Sequence, residues 1–159
     1  MAVIRQQPFD SQAVAARARL NRSRRATADV VPEMRHAVAD YARSCGITGA
    51  RLDGVRLAVS EAISNVVLHA YQNPPGDVHV SARVLGDELW VLVADDGRGH
   101  NASPLRPGLG WGLAFILDAT DEFRLSARSG GGTEARMMFR LPPDAPSAER
   151  PAGDELPAG

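Results

Sequence analysis

The chain contains no lysine: all 18 of its basic residues are arginine. That absence excludes a Walker-type phosphate loop, whose lysine reaches the β- and γ-phosphates, as well as a Schiff-base enzyme and a lysine general base. Cysteine is nearly as scarce. Cys45 stands alone, which rules out an intramolecular disulfide and a zinc site built from several cysteines. Neither sign of charge is in excess: the formal net charge is −1, so nothing in it draws the protein to nucleic acid or to an anionic membrane. No apolar run approaches the roughly 20 residues that cross a bilayer, and no signal-type h-region opens the chain. The expectation is a soluble, cytoplasmic protein with no direct nucleic-acid or membrane partner. A length of 159 residues with 44% hydrophobic content fits one globular domain flanked by some tail.

What is present centres on one stretch, DGVRLAVSEAISNVVLHAY, from Asp53 to Tyr71. Val55, Val59, Ala62, Ile63, Val66 and Ala70 recur at three- and four-residue steps, laying an apolar stripe along an α-helix. Beside it runs a polar row, Glu61, Asn65 and His69, stacked at about 6 Å per step. By itself such a row is either a solvated helix edge or the start of a site.

The surrounding chain is punctuated clearly. Residues 1–25 carry six arginines against one acid, Asp10; they form a flexible arm, with room for an edge strand around Arg19 to Thr27. Val31-Pro32-Glu33 opens a first helix with apolar positions Met34, Val38, Tyr41 and Ala42, which Gly46 stops. The central helix ends at Asn73-Pro74-Pro75-Gly76, where a double proline cannot continue it. From Asp77 the period changes to two, giving a strand with one buried face, then a hairpin connection at Leu85 to Glu88 and a continuously apolar strand, LWVLVADD. WGLAFILDAT reads as a short helix, FRLSARS and EARMMFRL as strands about an SGGGT turn, and residues 142–159 as a disordered tail. Helices followed by turn-linked strands imply an α+β fold, a two-layer sandwich with helices on one face of a mostly antiparallel mixed sheet.

Three glycine-bearing turns interrupt this pattern: Asp95-Asp96-Gly97-Arg98-Gly99, then Gly108-Leu109-Gly110-Trp111-Gly112-Leu113, then Gly130-Gly131-Gly132-Thr133. Singly, each marks a tight turn at least as well as a ligand site. A dinucleotide fingerprint at the second is poor, because loop and not a parallel strand precedes it. In order, however, Glu-x-x-x-Asn on a helix, Asp-x-Gly-x-Gly after a strand, Gly-x-Gly-Leu opening a helix and Gly-Thr before the last strand resemble the GHKL, or Bergerat-fold, ATP-binding family. EAISNVVLHAY in a chain without a phospho-acceptor helix pair is similar to its anti-sigma-factor serine/threonine kinases. The resemblance covers roughly residues 29–141.

The resemblance implies a histidine-kinase-like ATPase fold over residues 26–141, with ATP and Mg²⁺ as cofactors. It makes Glu61 the general base and Asn65 the Mg²⁺ ligand, an oxygen donor suited to a hard cation. It makes Asp95 the acceptor of the adenine 6-amino group, supplemented by Thr133, with Gly97 and Gly99 letting the backbone approach the base. Gly108, Gly110, Gly112 and Leu113 would meet phosphate at a helix N-terminus. The lid between Gly99 and Gly108 is short, HNASPLRP. Its one cation, Arg106, either meets the γ-phosphate or is a solvated loop charge. His69 is expected to cap or pack. The implied partners are a sigma factor and a STAS-type anti-sigma-factor antagonist, the implied assembly a homodimer. Two functions fit: a protein kinase acting on the antagonist, or a non-catalytic, nucleotide-dependent switch that sequesters a partner. A histidine-kinase-like ATPase domain serving a separate phospho-acceptor protein is a third.

Overall fold

The computed structural model of the chain describes residues 19–98 and 110–145. Expectations that fall on residues 1–18, on Gly99, Arg106 and Gly108 with the rest of the lid, and on residues 146–159 lie outside those described residues.

Strand β1, Leu20–Arg25, is followed by helix α1, Val30–Ser44, whose buried side is Val30, Met34, Val38, Ala39 and Ala42. Glu33 lies in its first turn and Arg43 in its last, each complementing the helix dipole. Gly46, at a φ of 91°, takes the left-handed conformation that ends the helix. Helix α2, Gly49–Asn65, begins four residues before Asp53, where the helical stretch was expected to start, directly after Thr48 in an extended conformation. It buries Leu52, Val55, Ala58, Val59, Ala62 and Ile63, because it lies between α1 and helix α3, Gly110–Ala119, and packs on both. Val66–Ala70 then continues as one π-helical turn before Tyr71 leaves in an extended conformation. A π turn widens the helix, so His69 falls off the row begun by Glu61 and Asn65; it is exposed.

The remaining strands are β2, Asp77–Leu85, β3, Glu88–Asp95, β4, Glu122–Ala127, and β5, Thr133–Arg140. They form a sheet in the order β1-β2-β3-β5-β4. All four pairings among the described residues are antiparallel, in keeping with the mostly antiparallel sheet expected. β5 lies between β3 and β4, so β3 and β4 run parallel and the chain passes from one to the other through α3, crossing over β5, while the turn-linked neighbours β2–β3 and β4–β5 pair antiparallel. Alternation splits the sheet into two faces. On the first, Val78, Val80, Ala82, Leu89, Val91, Val93, Phe123, Met137 and Phe139 join α1, α2 and Ile116 of α3 in one core. Arg51 of α2 pairs with Asp121, which also accepts from the Arg140 backbone N–H at 2.7 Å, tying the helical layer to the β4–β5 end.

Candidate functional site

The site forms where the C-terminal end of β3 meets the helices. Asp95 is the last residue of β3 and has the parity of Val91 and Val93, so its side chain turns to the helix-covered face. Only 3% of it is exposed, and a carboxylate buried to that degree needs donors. Its Oδ1 accepts the Gly97 backbone N–H at 2.8 Å and the Thr133 backbone N–H at 3.3 Å. Asp95 and Thr133, from two of the four motifs, are thus joined by a hydrogen bond. The chain beside them is tightly apposed: a Cβ on Gly132, whose φ is +93°, would lie 1.9 Å from the Asp95 carbonyl oxygen.

The first motif reaches the same place through the π turn. The Ala70 carbonyl at its end accepts the Arg98 N–H at 3.0 Å, and a Cβ on Gly97 would lie 2.2 Å from that oxygen. Glycine at 97 is therefore required by the protein's own backbone packing, a different reason from the close approach to a base that the resemblance implies. Glu61 and Asn65 sit on α2, half-buried, facing the start of α3. A Cβ on Gly112 would stand 2.6 Å from Glu61 Oε2 and 4.0 Å from Asn65 Oδ1. The glycine thus lets a carboxylate and an amide oxygen lie against the first turn of a helix, where backbone N–H groups lack intrahelical partners and anions are favoured. Gly110 opens that helix and Leu113 packs against the core.

Four residues that sequence reasoning passed over, Tyr71, His79, Asp96 and Arg128, brace the turn that follows β3. Tyr71 donates its hydroxyl to the Asp77 carbonyl at 2.5 Å and accepts the Asp96 N–H at 2.9 Å; burial pushes its phenol upward. Asp96 accepts from His79 Nε2 at 2.6 Å and pairs with Arg128, whose Nη1 also donates to the Asp95 carbonyl at 3.0 Å. Ser23 of β1 meets the other His79 ring nitrogen at 2.8 Å. Only the doubled acid after β3 hinted at Asp96, and its partners are distant in sequence.

The hydrogen bond from His79, with the Arg128 charge, holds the Asp96 carboxyl below its ordinary value of 3.8. A carboxyl depressed in the folded state stabilises the protein above its unfolded pKa, and that contribution disappears as pH falls through the folded value. Asp96→Asn is therefore expected to lower the unfolding midpoint at neutral pH, with the two proteins converging as the pH drops below about 4. Thermal unfolding of both across that range checks it; a gap independent of pH overturns the assignment.

No described group of three or more His, Cys, Asp or Glu side chains could hold a metal ion unaided. Asn65 and Glu61 do offer oxygen donors of the kind a hard cation takes when it also collects oxygens from a bound triphosphate and water.

Residues 24–139 match the family described as the histidine kinase-like ATPase domain. The chain is 32% identical over 118 residues to an anti-sigma F factor of Clostridium acetobutylicum, covering 67% of this chain and 82% of that protein. It is 32% identical over 85 residues to the serine-protein kinase RsbW of Bacillus mycoides, covering 54% of this chain and spanning about half, 53%, of that relative. A solved structure of the RsbU and RsbW domains of a Mycobacterium tuberculosis protein superposes with a TM-score of 0.61 at 26% identity, covering 77% of this chain and 32% of that one.

Proposed function

Because the chain belongs to the histidine kinase-like ATPase domain family, and so binds ATP, we propose that it is an anti-sigma regulatory factor with serine/threonine kinase activity. Its substrate is a STAS-type anti-sigma-factor antagonist, its second partner a sigma factor, and its working form a homodimer in the cytoplasm. The observation that carries the chemistry is the placing of Glu61 and Asn65 against Gly112 at the start of α3. The names of the relatives carry the partners.

The mechanism follows from that placement. Adenine lies toward Asp95 and Thr133, which distinguish its 6-amino donor from the carbonyl of guanine. The phosphates lie toward the first turn of α3, whose N–H groups and dipole favour them. Asn65 would hold Mg²⁺, which neutralises charge on the β- and γ-phosphates when bound. Glu61 takes the proton of the attacking serine or threonine hydroxyl as its oxygen bonds to the γ-phosphorus and the bond to ADP breaks.

Incubation with γ-labelled ATP and candidate STAS proteins tests this directly. Label on a serine or threonine of one of them is the expected result; stable capture of a partner with nucleotide bound and no label transferred would instead make the protein a non-catalytic switch. The metal assignment has its own measurement. Asn65→Ala is expected to abolish the tightening of ATP binding that Mg²⁺ produces in the wild type, while leaving Mg²⁺-free affinity within a few-fold. Calorimetry with and without Mg²⁺ reads it, and an unchanged Mg²⁺ effect removes Asn65 from the metal site.

A further inference from the structure

The sheet has a second face, and it is buried where no described helix lies. Strand register places Glu122, Met138, Trp90 and Arg83 in one cross-strand row, Arg124, Arg136, Leu92, Ser81 and Asn21 in the next, and Ser126, Glu134, Ala94, His79 and Ser23 in a third. None of these residues belongs to the core that the helices cover. Yet Trp90 is 9% exposed, Met138 4%, Ala94 3% and Glu134 4%. On the open side of a sheet, neighbours shield a tryptophan or methionine edgewise but leave its outer surface to water. Something further covers this face.

We propose that the occupant is the N-terminal segment, residues 1–18, lying across the second face from β1 toward β4. Its point of attachment is right. Leu20 pairs with Ala82, so the residue before it falls beside Arg83, which is opposite Trp90; the chain enters β1 at the row that holds Trp90 and Met138. Its length is right. Five strands at about 4.8 Å spacing span about 19 Å, a distance that about 13 residues of helix cover at 1.5 Å each. Its composition is right as well. Val3, Ile4, Phe9 and Val14 supply large apolar side chains, with Phe9, Ala13 and Ala16 at helical spacing. Residues 146–159, the other terminal segment outside the described residues, contain only Leu156 of that kind.

The proposal makes the arginine-rich arm, expected to be flexible, part of the fold. It also puts the arm next to the turn that follows β3, since Ser23 and His79, in the third row of this face, lead by hydrogen bonds to Asp96. It is independent of the kinase reading.

Trp90 is a built-in reporter. With the second tryptophan removed by Trp111→Phe, its emission and acrylamide quenching are measured in the full chain, in a chain beginning at Arg19, and in a full-length Phe9→Asp variant, each over a wide range of protein concentration. The expected result is a red-shifted emission and several-fold stronger quenching in the truncated chain, the same direction of change in Phe9→Asp, and no dependence on concentration in the parent. Should the truncated chain not fold, Phe9→Asp with unchanged circular dichroism decides. Quenching unaltered by either change overturns the proposal. So does protection in the full chain that vanishes on dilution, which would make a second copy of the protein the cover.

Discussion

Glu61→Ala is expected to lower phosphotransfer by about 10² to 10⁴-fold, the range for losing a positioned general base, while ATP affinity stays within a few-fold. Two features of the structure motivate the separation. Glu61 lies one turn before Asn65 on α2, and its Oε2 occupies the space in front of Gly112. Its neighbours are therefore the first turn of α3 and the Asn65 amide, while Asp95 sits apart from them, at the close of β3. Glu61→Ala is therefore expected to leave Asp95, Thr133 and the N-terminus of α3 undisturbed. Gly112→Ala provides an independent approach to the same residue. A methyl group 2.6 Å from Oε2 must displace the carboxylate, so this variant should also lose transfer, by less than Glu61→Ala because the side chain can swing aside. Label transfer at the wild-type rate in Glu61→Ala would refute the catalytic role and leave the acid as a solvated helix edge.

Periodicity made the layers of this fold legible. The stripe Val55, Val59, Ala62, Ile63 is buried as its spacing requires, and the alternation from Val78 onward is the core face of β2. The switch from period 3.6 to period 2 gives the order of elements, and short turns between strands give antiparallel neighbours. The π turn was not legible, because Val66 to Ala70 has the composition of an ordinary last helical turn and the widening depends on where Ala70 meets Gly97 and Arg98. The second face escaped for a related reason. A strand such as LWVLVADD, apolar on both sides, announces burial on both faces, but nothing local says what lies on each.

The same contrast holds at the site. Ordered motifs predicted which residues converge, and Gly112 does stand at Glu61 and Asn65 while Thr133 does donate to Asp95. The bracing set of Tyr71, His79, Asp96 and Arg128 has no motif, since each bond within it spans 17 or more residues and depends on how the strands and the turns at their ends come together. Such partners are visible only after the sheet is assembled.

Asp95→Asn is expected to weaken ATP binding by about 10- to 150-fold, corresponding to about 1.5 to 3 kcal/mol for a charge-assisted hydrogen bond, at tenfold per 1.4 kcal/mol. The carboxylate is almost wholly buried and oriented by the Gly97 and Thr133 N–H groups at 2.8 and 3.3 Å. A fixed acceptor facing a 6-amino group costs no reorganisation on binding, whereas an amide placed there can turn its NH₂ toward the base and repel the same donor. Affinity alone would not separate that loss from a loosened turn, since Asp95 also holds the loop it contacts. Selectivity does. Loosening weakens ATP and GTP alike, while loss of the acceptor removes the preference for ATP, because the guanine carbonyl can accept from the new NH₂. The expected result is therefore a collapsed ratio of ATP to GTP affinity in Asp95→Asn, with circular dichroism unchanged. Equal ATP affinity in the two proteins, or a ratio preserved while both affinities fall, would remove Asp95 from adenine recognition and leave it as a structural acceptor at the end of β3.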